Sequence, residues 1–282
     1  MMANRRRIGI TLGDPAGIGP EVVAKALRSG KLDRRFDYEI IGNPRAKRRA
    51  DAVDWVVEGA KRCLKGDLAA LATAPITKEL LREAGYPFVG QTELLAHLSR
   101  TKRFAMMLAG GPLRVALVTI HEPLRDVARL ITTRKIVEVI ELSDEICRRF
   151  GMRRPRIAVA GLNPHAGEGG LLGNEERQVI APAVRRAARR GIAVSGPHSA
   201  DTLFYRAAHG EFDAVVAMYH DQGLAPLKLI AFDNGVNLTL GLPFVRTSPD
   251  HGTAPDIAGK GIARPGGMIA AINMAAQLAR CR

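Results

Sequence analysis

The sequence predicts an α/β fold built on a mainly parallel sheet. Short apolar runs alternate with amphipathic stretches of helical length along the chain. Strands separated by helices of that length need crossover connections, which leave neighbouring strands parallel. Gly and Pro punctuate the boundaries. In order, Arg7–Leu12 reads as a strand, followed by a Gly/Pro loop and a helix over Pro20–Leu27. Tyr38–Gly42 is a second strand, Ala52–Lys65 a helix, Leu68–Thr73 a strand and Thr77–Ala84 a helix. Phe104–Ala109 and Leu113–Ile120 read as strands joined by Gly110-Gly111-Pro112, a hairpin signal. Thr133–Phe150 is a strongly amphipathic helix, with Thr132 or Thr133 as its cap and Gly151 as its stop. Strand Arg156–Leu162, helix Glu175–Arg189, strand Ile192–Ser195, helix Ala200–Ala208 and strand Ala214–Tyr219 follow. The chain closes with strand Val236–Leu240, a Gly/Pro loop and helix Met268–Leu278.

Composition excludes several classes. The 282 residues allow one large domain or two modest ones. An apolar fraction of 46% argues against general disorder. No apolar run approaches the roughly 20 residues that span a bilayer. The basic stretch Met1–Arg7 is followed by Gly9–Leu12, too short for a signal-peptide core, so the expected location is the cytoplasm. Cys63, Cys147 and Cys281 are odd in number and widely spaced, which indicates no disulfide framework. The net charge of +14 raises nucleic-acid binding. Its clusters, Arg5–Arg7, Arg153–Arg156 and Arg185–Arg190, sit on an end, a linker and a helix, and aromatics are only 5% of the chain. Few rings are left to stack bases, so solvated basic faces are the expected reading, with neither nucleic acid nor membrane as partner. A positive surplus also suits an enzyme whose substrate and cofactor are anions.

The main chemical signal is positional. His121 follows the strand Val115–Ile120, His165 follows Ile157–Leu162 after an Asn-Pro step, and His220 follows Val215–Tyr219. Ligands of open α/β sheets bind outside the carboxyl ends of strands. Three imidazoles there can converge on one divalent ion and leave coordination positions open, as catalytic sites do. Each histidine alone could equally pack or hydrogen-bond locally.

Two Gly-rich loops stand out. Gly13–Glu21 (GDPAGIGPE) joins a strand to a helix but matches neither the G-x-G-x-x-G fingerprint nor a Walker A loop. His251–Gly261 (HGTAPDIAGKG) precedes an apolar helix and could wrap a cofactor or be an ordinary surface loop. Between them Lys228, Asn237 and Arg246 supply an ammonium, an amide and a guanidinium, a set able to hold a phosphate or carboxylate.

The strings Gly13–Glu21, Asn163–Gly169 (NPHAGEG), Ala217–Leu224 (AMYHDQGL), Asn237–Arg246 (NLTLGLPFVR) and Asp250–Ala254 (DHGTA) resemble, in order, the 4-hydroxythreonine-4-phosphate dehydrogenase family of vitamin B6 synthesis. The two Gly-rich loops are more distantly similar to those of isocitrate and isopropylmalate dehydrogenases. The resemblance implies two α/β/α domains with a cleft between them, here residues 1–112 with 236–282, and 113–235. It implies a cytoplasmic homodimer whose active site is shared across the interface. Metal ligands are expected at His121, His165 and His220, and substrate holders at Gln91, Thr92, Lys228, Asn237 and Arg246. Gly252, Thr253, Ala254, Asp256 and Ile257 are expected along the adenosine part of NAD or NADP. The expected metal is Zn²⁺, Co²⁺ or Mg²⁺, three imidazoles favouring the softer ions. Asp221, Asp250 and Lys228, or a water, are the candidates for taking the substrate's hydroxyl proton. Two departures bear on the substrate: Gln91 stands where the family often has His, and the chain is short between Gly42 and Ala52. Oxidation of 4-phospho-D-threonate, phosphoerythronate or an aromatic cis-dihydrodiol carboxylate is therefore the alternative reaction.

Overall fold

Two units realise the alternation of strands and helices, one running up to Lys102 and again from Asp233, the other Arg103–Phe232. The computed structural model describes residues 6–46 and 48–280, so Arg5 and Cys281 lie outside the described residues. Unit 1 begins with β1 (Arg7–Thr11), α1 (Gly19–Arg28), β2 (Asp37–Ile41), α2 (Asp51–Lys65), β3 (Ala70–Thr73), α3 (Lys78–Glu83) and α4 (Gln91–Leu98). Unit 2 holds β4 (Ala105–Gly110), β5 (Leu113–Leu117), α5 (Leu124–Leu130), α6 (Thr133–Arg149), β6 (Ile157–Ala160), α7 (Ala181–Ala188), β7 (Val194–His198), α8 (Ala200–Ala208), β8 (Ala214–Ala217) and α9 (His220–Ala231). Unit 1 is completed by β9 (Val236–Leu240), β10 (Val245–Pro249) and α10 (Gly266–Arg280). The second unit starts before the expected residue 113 because the hairpin pairs β4 with β5, Met106 opposite Leu117.

Strand order in unit 1 is β2-β1-β3-β10-β9, parallel except for the antiparallel pair β10–β9. In unit 2 it is β4-β5-β8-β6-β7, parallel after the hairpin. The inner strands are apolar runs buried on both faces, as parallel strands covered by helices must be. In unit 1, Ala271, Ile272, Ala275 and Ala276 of α10 pack over β10 and β3. In unit 2, Leu108, Val115, Ala158, Val215 and Leu227 form the core. Helix ends follow local chemistry. Thr132 Oγ1 accepts from Lys135 N at 3.2 Å and starts α6.

Four elements depart from the sequence expectation: α4 and α5 form where no helix is expected, and α9 and β10 replace a turn and a loop. His220 opens a helix, α9, where a turn is expected; Gly223 and Pro226 inside it conceal the helical pattern. A Cβ on Gly223 would lie 2.7 Å from Val115 Cγ1, so the glycine is what lets α9 seat on β5. Strand β10 forms where a Gly/Pro loop is expected, because it buries Arg246, Thr247 and Ser248 and so reads as polar. The strands before the histidines also stop early, at Leu117, Ala160 and Ala217.

Cys63 and Cys147 are buried, and burial pushes the Cys147 thiol up to about 12, which leaves it inert. No helix among the described residues is long and apolar enough to cross a membrane. Much of the arginine surplus is tied into local ion pairs, including Arg62–Glu39, Arg103–Glu141, Arg156–Asp213 and Arg206–Glu211.

Candidate active site

In unit 2 the ends of three neighbouring strands are locked to one another. Val118 N donates to Ala217 O at 2.9 Å, and Thr119 Oγ1 to Met218 O at 2.7 Å, which binds the β5 end to the β8 end. Gln222 then bridges β8 to β6: its Oε1 accepts from Met218 N and its Nε2 donates to Gly161 O, both at 2.7 Å. These ties set His121 and His220 side by side, with ring centroids 5.7 Å apart. Two imidazoles on one tetrahedral ion, with metal–nitrogen bonds of about 2.0–2.1 Å, have centroids roughly 5 Å apart, so the pair matches two ligand positions. His220 Nδ1 lies 2.7 Å from Asp221 Oδ1, which leaves Nε2 for a ligand, the usual support of a metal-bound histidine.

His165 stands apart from that pair. Among the described residues no group of three or more His, Cys, Asp or Glu side chains is assembled for a metal. His165 begins a left-handed turn, His165–Gly169, in which all five φ values are positive, three of them on non-glycine residues. On the three non-glycine residues such backbone costs about 1–3 kcal/mol each and persists only where its surroundings impose it. Glu176 does so here. It is 3% exposed; its Oε1 accepts from Leu162 N and Asn163 N, both at 2.7 Å, and its Oε2 from Asn163 Nδ2 at 3.0 Å. Burial pushes this carboxyl up, but the hydrogen bonds from Asn163 and Leu162 outweigh it and hold the pKa below the ordinary carboxylate value. The turn borders a hollow of about 710 Å³ also lined by Asp201, Tyr219, Asp221 and Gln222.

In unit 1 the expected substrate holders gather on the strands. Arg246 of β10 is 4% exposed. Its Nε and Nη2 donate to Thr73 Oγ1 at 3.2 and 2.8 Å, and its Nη1 to Thr239 Oγ1 at 3.1 Å. Thr239 Oγ1 is 3.3 Å from Thr92 Oγ1. Burial lowers the Arg246 pKa to about 10, with the charge of Glu93 opposing, so the guanidinium stays protonated at neutral pH. Gln91 Nε2 donates to Ala74 O at 3.1 Å, while its Oε1 is buried without a hydrogen-bond partner. Asn237 lies on β9 opposite Ser248. Lys228, by contrast, is half-buried in the last turn of α9 in unit 2, and Asp250 directly follows β10.

The two Gly-rich loops meet in unit 1. Ile18 N donates to Thr253 O at 2.9 Å, and a Cβ on Gly17 would lie 2.8 Å from that same oxygen. Further on, Lys25 Nζ donates to Gly261 O and Ala263 O, both at 2.8 Å, and Glu21 Oε1 accepts from Ala263 N at 2.9 Å. Helix α1 thus fastens both ends of the loop carrying Gly252, Thr253, Ala254, Asp256 and Ile257. Ala254 takes a φ of 42° within it. The variant Gly17→Ala should force Thr253 back, costing about 1–3 kcal/mol as overpacking does. Thermal denaturation measures this; a melting temperature equal to wild type would show that the two loops do not depend on this close approach.

Sequence reasoning missed Thr73, Thr239, Glu176, Gln222 and Thr119. Gln222 and Thr239 lie inside the AMYHDQGL and NLTLGLPFVR strings, and Glu176 stands at the head of a predicted helix soon after NPHAGEG; Thr73 and Thr119 carried no such signal.

A family model described as pyridoxal phosphate biosynthetic protein PdxA matches residues 19–275. A 4-hydroxythreonine-4-phosphate dehydrogenase of Geobacter metallireducens is 45% identical, over 100% of this chain and 98% of that protein. The crystal structure of a 4-hydroxythreonine-4-phosphate dehydrogenase from Klebsiella pneumoniae matches with a TM-score of 0.85 at 40% identity, covering 97% of this chain and 99% of that one. An isocitrate dehydrogenase from Methylococcus capsulatus is similar in fold alone, with a TM-score of 0.52 at 15% identity over 98% of this chain and 88% of that one.

Proposed function

The chain belongs to the pyridoxal phosphate biosynthetic protein PdxA family, and from that premise we propose that it oxidises the secondary hydroxyl of 4-phosphohydroxy-L-threonine with NAD or NADP. Loss of CO₂ from the resulting β-keto acid then leaves 3-amino-2-oxopropyl phosphate. The observation that carries the reading from family to chemistry is the His121–His220 pair with Asp221 behind it.

Each residue then has a task. His121 and His220 hold a divalent ion, Zn²⁺ or Co²⁺ in preference to Mg²⁺, since imidazole suits the softer ions. Asp221 fixes the His220 tautomer. Arg246, with Thr92, Asn237 and Gln91, takes the phosphate, and Lys228 adds a cation to substrate binding. Holding the phosphate fixes the carbinol carbon and spares the entropy of aligning it during reaction. The loop Gly252–Ile257 holds the cofactor's adenosine end. When bound, the nicotinamide takes the hydride and the ion supplies Lewis acidity for the hydroxyl and the developing carbonyl. The hydroxyl proton goes to one of Asp221, Asp250 or Lys228.

His165 joins the same centre through a homodimer in which a second copy completes the ligand set. The exposed apolar side chains of unit 2 support this: Leu171, Leu229 and Phe232 are 84%, 88% and 76% exposed in the single chain.

The test is NAD(P)H formation with 4-phosphohydroxy-L-threonine, 4-phospho-D-threonate and phosphoerythronate, with and without a chelator. Turnover of the first, lost on chelation and restored by Zn²⁺ or Co²⁺, is the expected result. Good rates on phosphothreonate with none on 4-phosphohydroxy-L-threonine would reverse the substrate assignment. Sedimentation should give a dimer; a monomer with full activity would remove the shared site.

A further inference from the structure

We propose that Thr73 and Thr239 are positioning residues for anion recognition, holding the Arg246 guanidinium through neutral hydroxyls so that its charge is left for the substrate's phosphate. The inference rests on the reading that Arg246 takes that phosphate.

A buried guanidinium is costly unless its donors are satisfied, and a carboxylate is the usual partner. Among the described residues no carboxylate oxygen lies within 4.0 Å of Arg246, whose hydrogen bonds all go to threonine hydroxyls. Thr73 occupies the Nε–Nη2 edge, where a carboxylate would bind in two-point fashion. Arg246 is in register with Leu71 of the parallel neighbour β3, so Thr73 lies two residues along on the same face. Thr239 takes one Nη1 hydrogen. A guanidinium has five N–H groups. With these bonds made, one hydrogen remains on each terminal nitrogen, the pair that meets two oxygens of one phosphate. Hydroxyls satisfy the inner donors without cancelling the charge. An acidic residue in Thr73's place would satisfy the same donors and neutralise the cation.

The surroundings point to a missing partner as well. Thr11 lies beside Thr73 in register across β1 and β3, is fully buried, and its Oγ1 has no hydrogen-bond partner. Buried hydroxyls without partners are rare in folded proteins, and this one, able to donate to an anion, stands beside the residue that orients the cation.

The experiment compares wild type with Thr73→Val, Thr73→Ser, Thr239→Val and Arg246→Met. Inorganic phosphate binding is read by calorimetry and by the shift in melting temperature, and KM and kcat are measured on the phosphorylated substrate. Thr73→Val is near-isosteric and should lose about tenfold or more in phosphate affinity, as expected for a lost bond to a charged group. Its KM should rise in parallel with kcat little changed, and Thr73→Ser should return both towards wild type. Thr239→Val should show a smaller loss of the same kind, and gives an independent reading if Thr73→Val does not fold. If Arg246→Met binds phosphate as wild type does, the assignment of Arg246 to the phosphate falls, and this inference with it. If Arg246→Met loses phosphate while Thr73→Val and Thr239→Val keep wild-type affinity and KM, only the positioning role is overturned.

Discussion

His220→Ala should purify without a bound divalent ion and turn over about 10³-fold more slowly than wild type. Lewis-acid stabilisation of developing charge is worth several kcal/mol, and each 1.4 kcal/mol is a factor of ten in rate. The side chain is half-buried at the first residue of α9. Its removal leaves Gln222 and Thr119 to hold the strand ends, so the melting temperature should move little. His209→Ala is the control: that ring is exposed, lies 2.8 Å from Tyr205 O and packs on the Tyr205 ring, and neither metal nor rate should change. Metal content by mass spectrometry and steady-state turnover decide the matter. A His220→Ala protein that keeps a stoichiometric ion and its rate would remove the imidazole pair from the chemistry.

Glu176→Ala should cost about 3 kcal/mol of stability, because the half-buried backbone N–H groups of Leu162 and Asn163 both lose a charged acceptor, at about 1–3 kcal/mol each. The left-handed turn that starts at His165 should relax with it, so metal affinity falls too, by the 10–100-fold typical of lost outer supports. The sign with pH follows from the lowered pKa. A carboxyl held below its ordinary value of 4.5 contributes stability that is fully present above that pH and is lost as pH falls through the folded-state value. The gap between wild type and Glu176→Gln should therefore narrow in acid, from just below pH 4.5 downward. Urea denaturation across pH 3–7 measures it, and a gap that stays constant or widens in acid would show that charge is not what Glu176 contributes.

The α/β alternation was legible because inner strands such as Ile157–Ala160 and Ala214–Ala217 are short apolar runs with no competing interpretation. His121 and His220 were legible as candidates because strand ends are where open sheets present ligands, and the geometry pairs them. The hidden parts have a common cause. Strand β10 buries Arg246, Thr247 and Ser248, so its pattern reads as a loop. Helix α9 carries Gly223 and Pro226, residues that normally end helices. Thr73 and Thr239 act through Arg246 from positions 173 and 7 residues away in sequence. No local pattern encodes such a meeting; the sheet register creates it.

The strand order of unit 1 has a consequence for biosynthesis. Strand β10 lies between β3 and β9, yet it is made after the whole of unit 2. On the ribosome, unit 2 has all of its strands once Phe232 has emerged and is free to fold as a contiguous segment. Unit 1 must wait with the edge of β3 uncovered, a row of open amides and carbonyls that invites pairing with another chain. The segment from Asp233 onward, which lays β10 and its Arg246 against β3, closes this window of vulnerability.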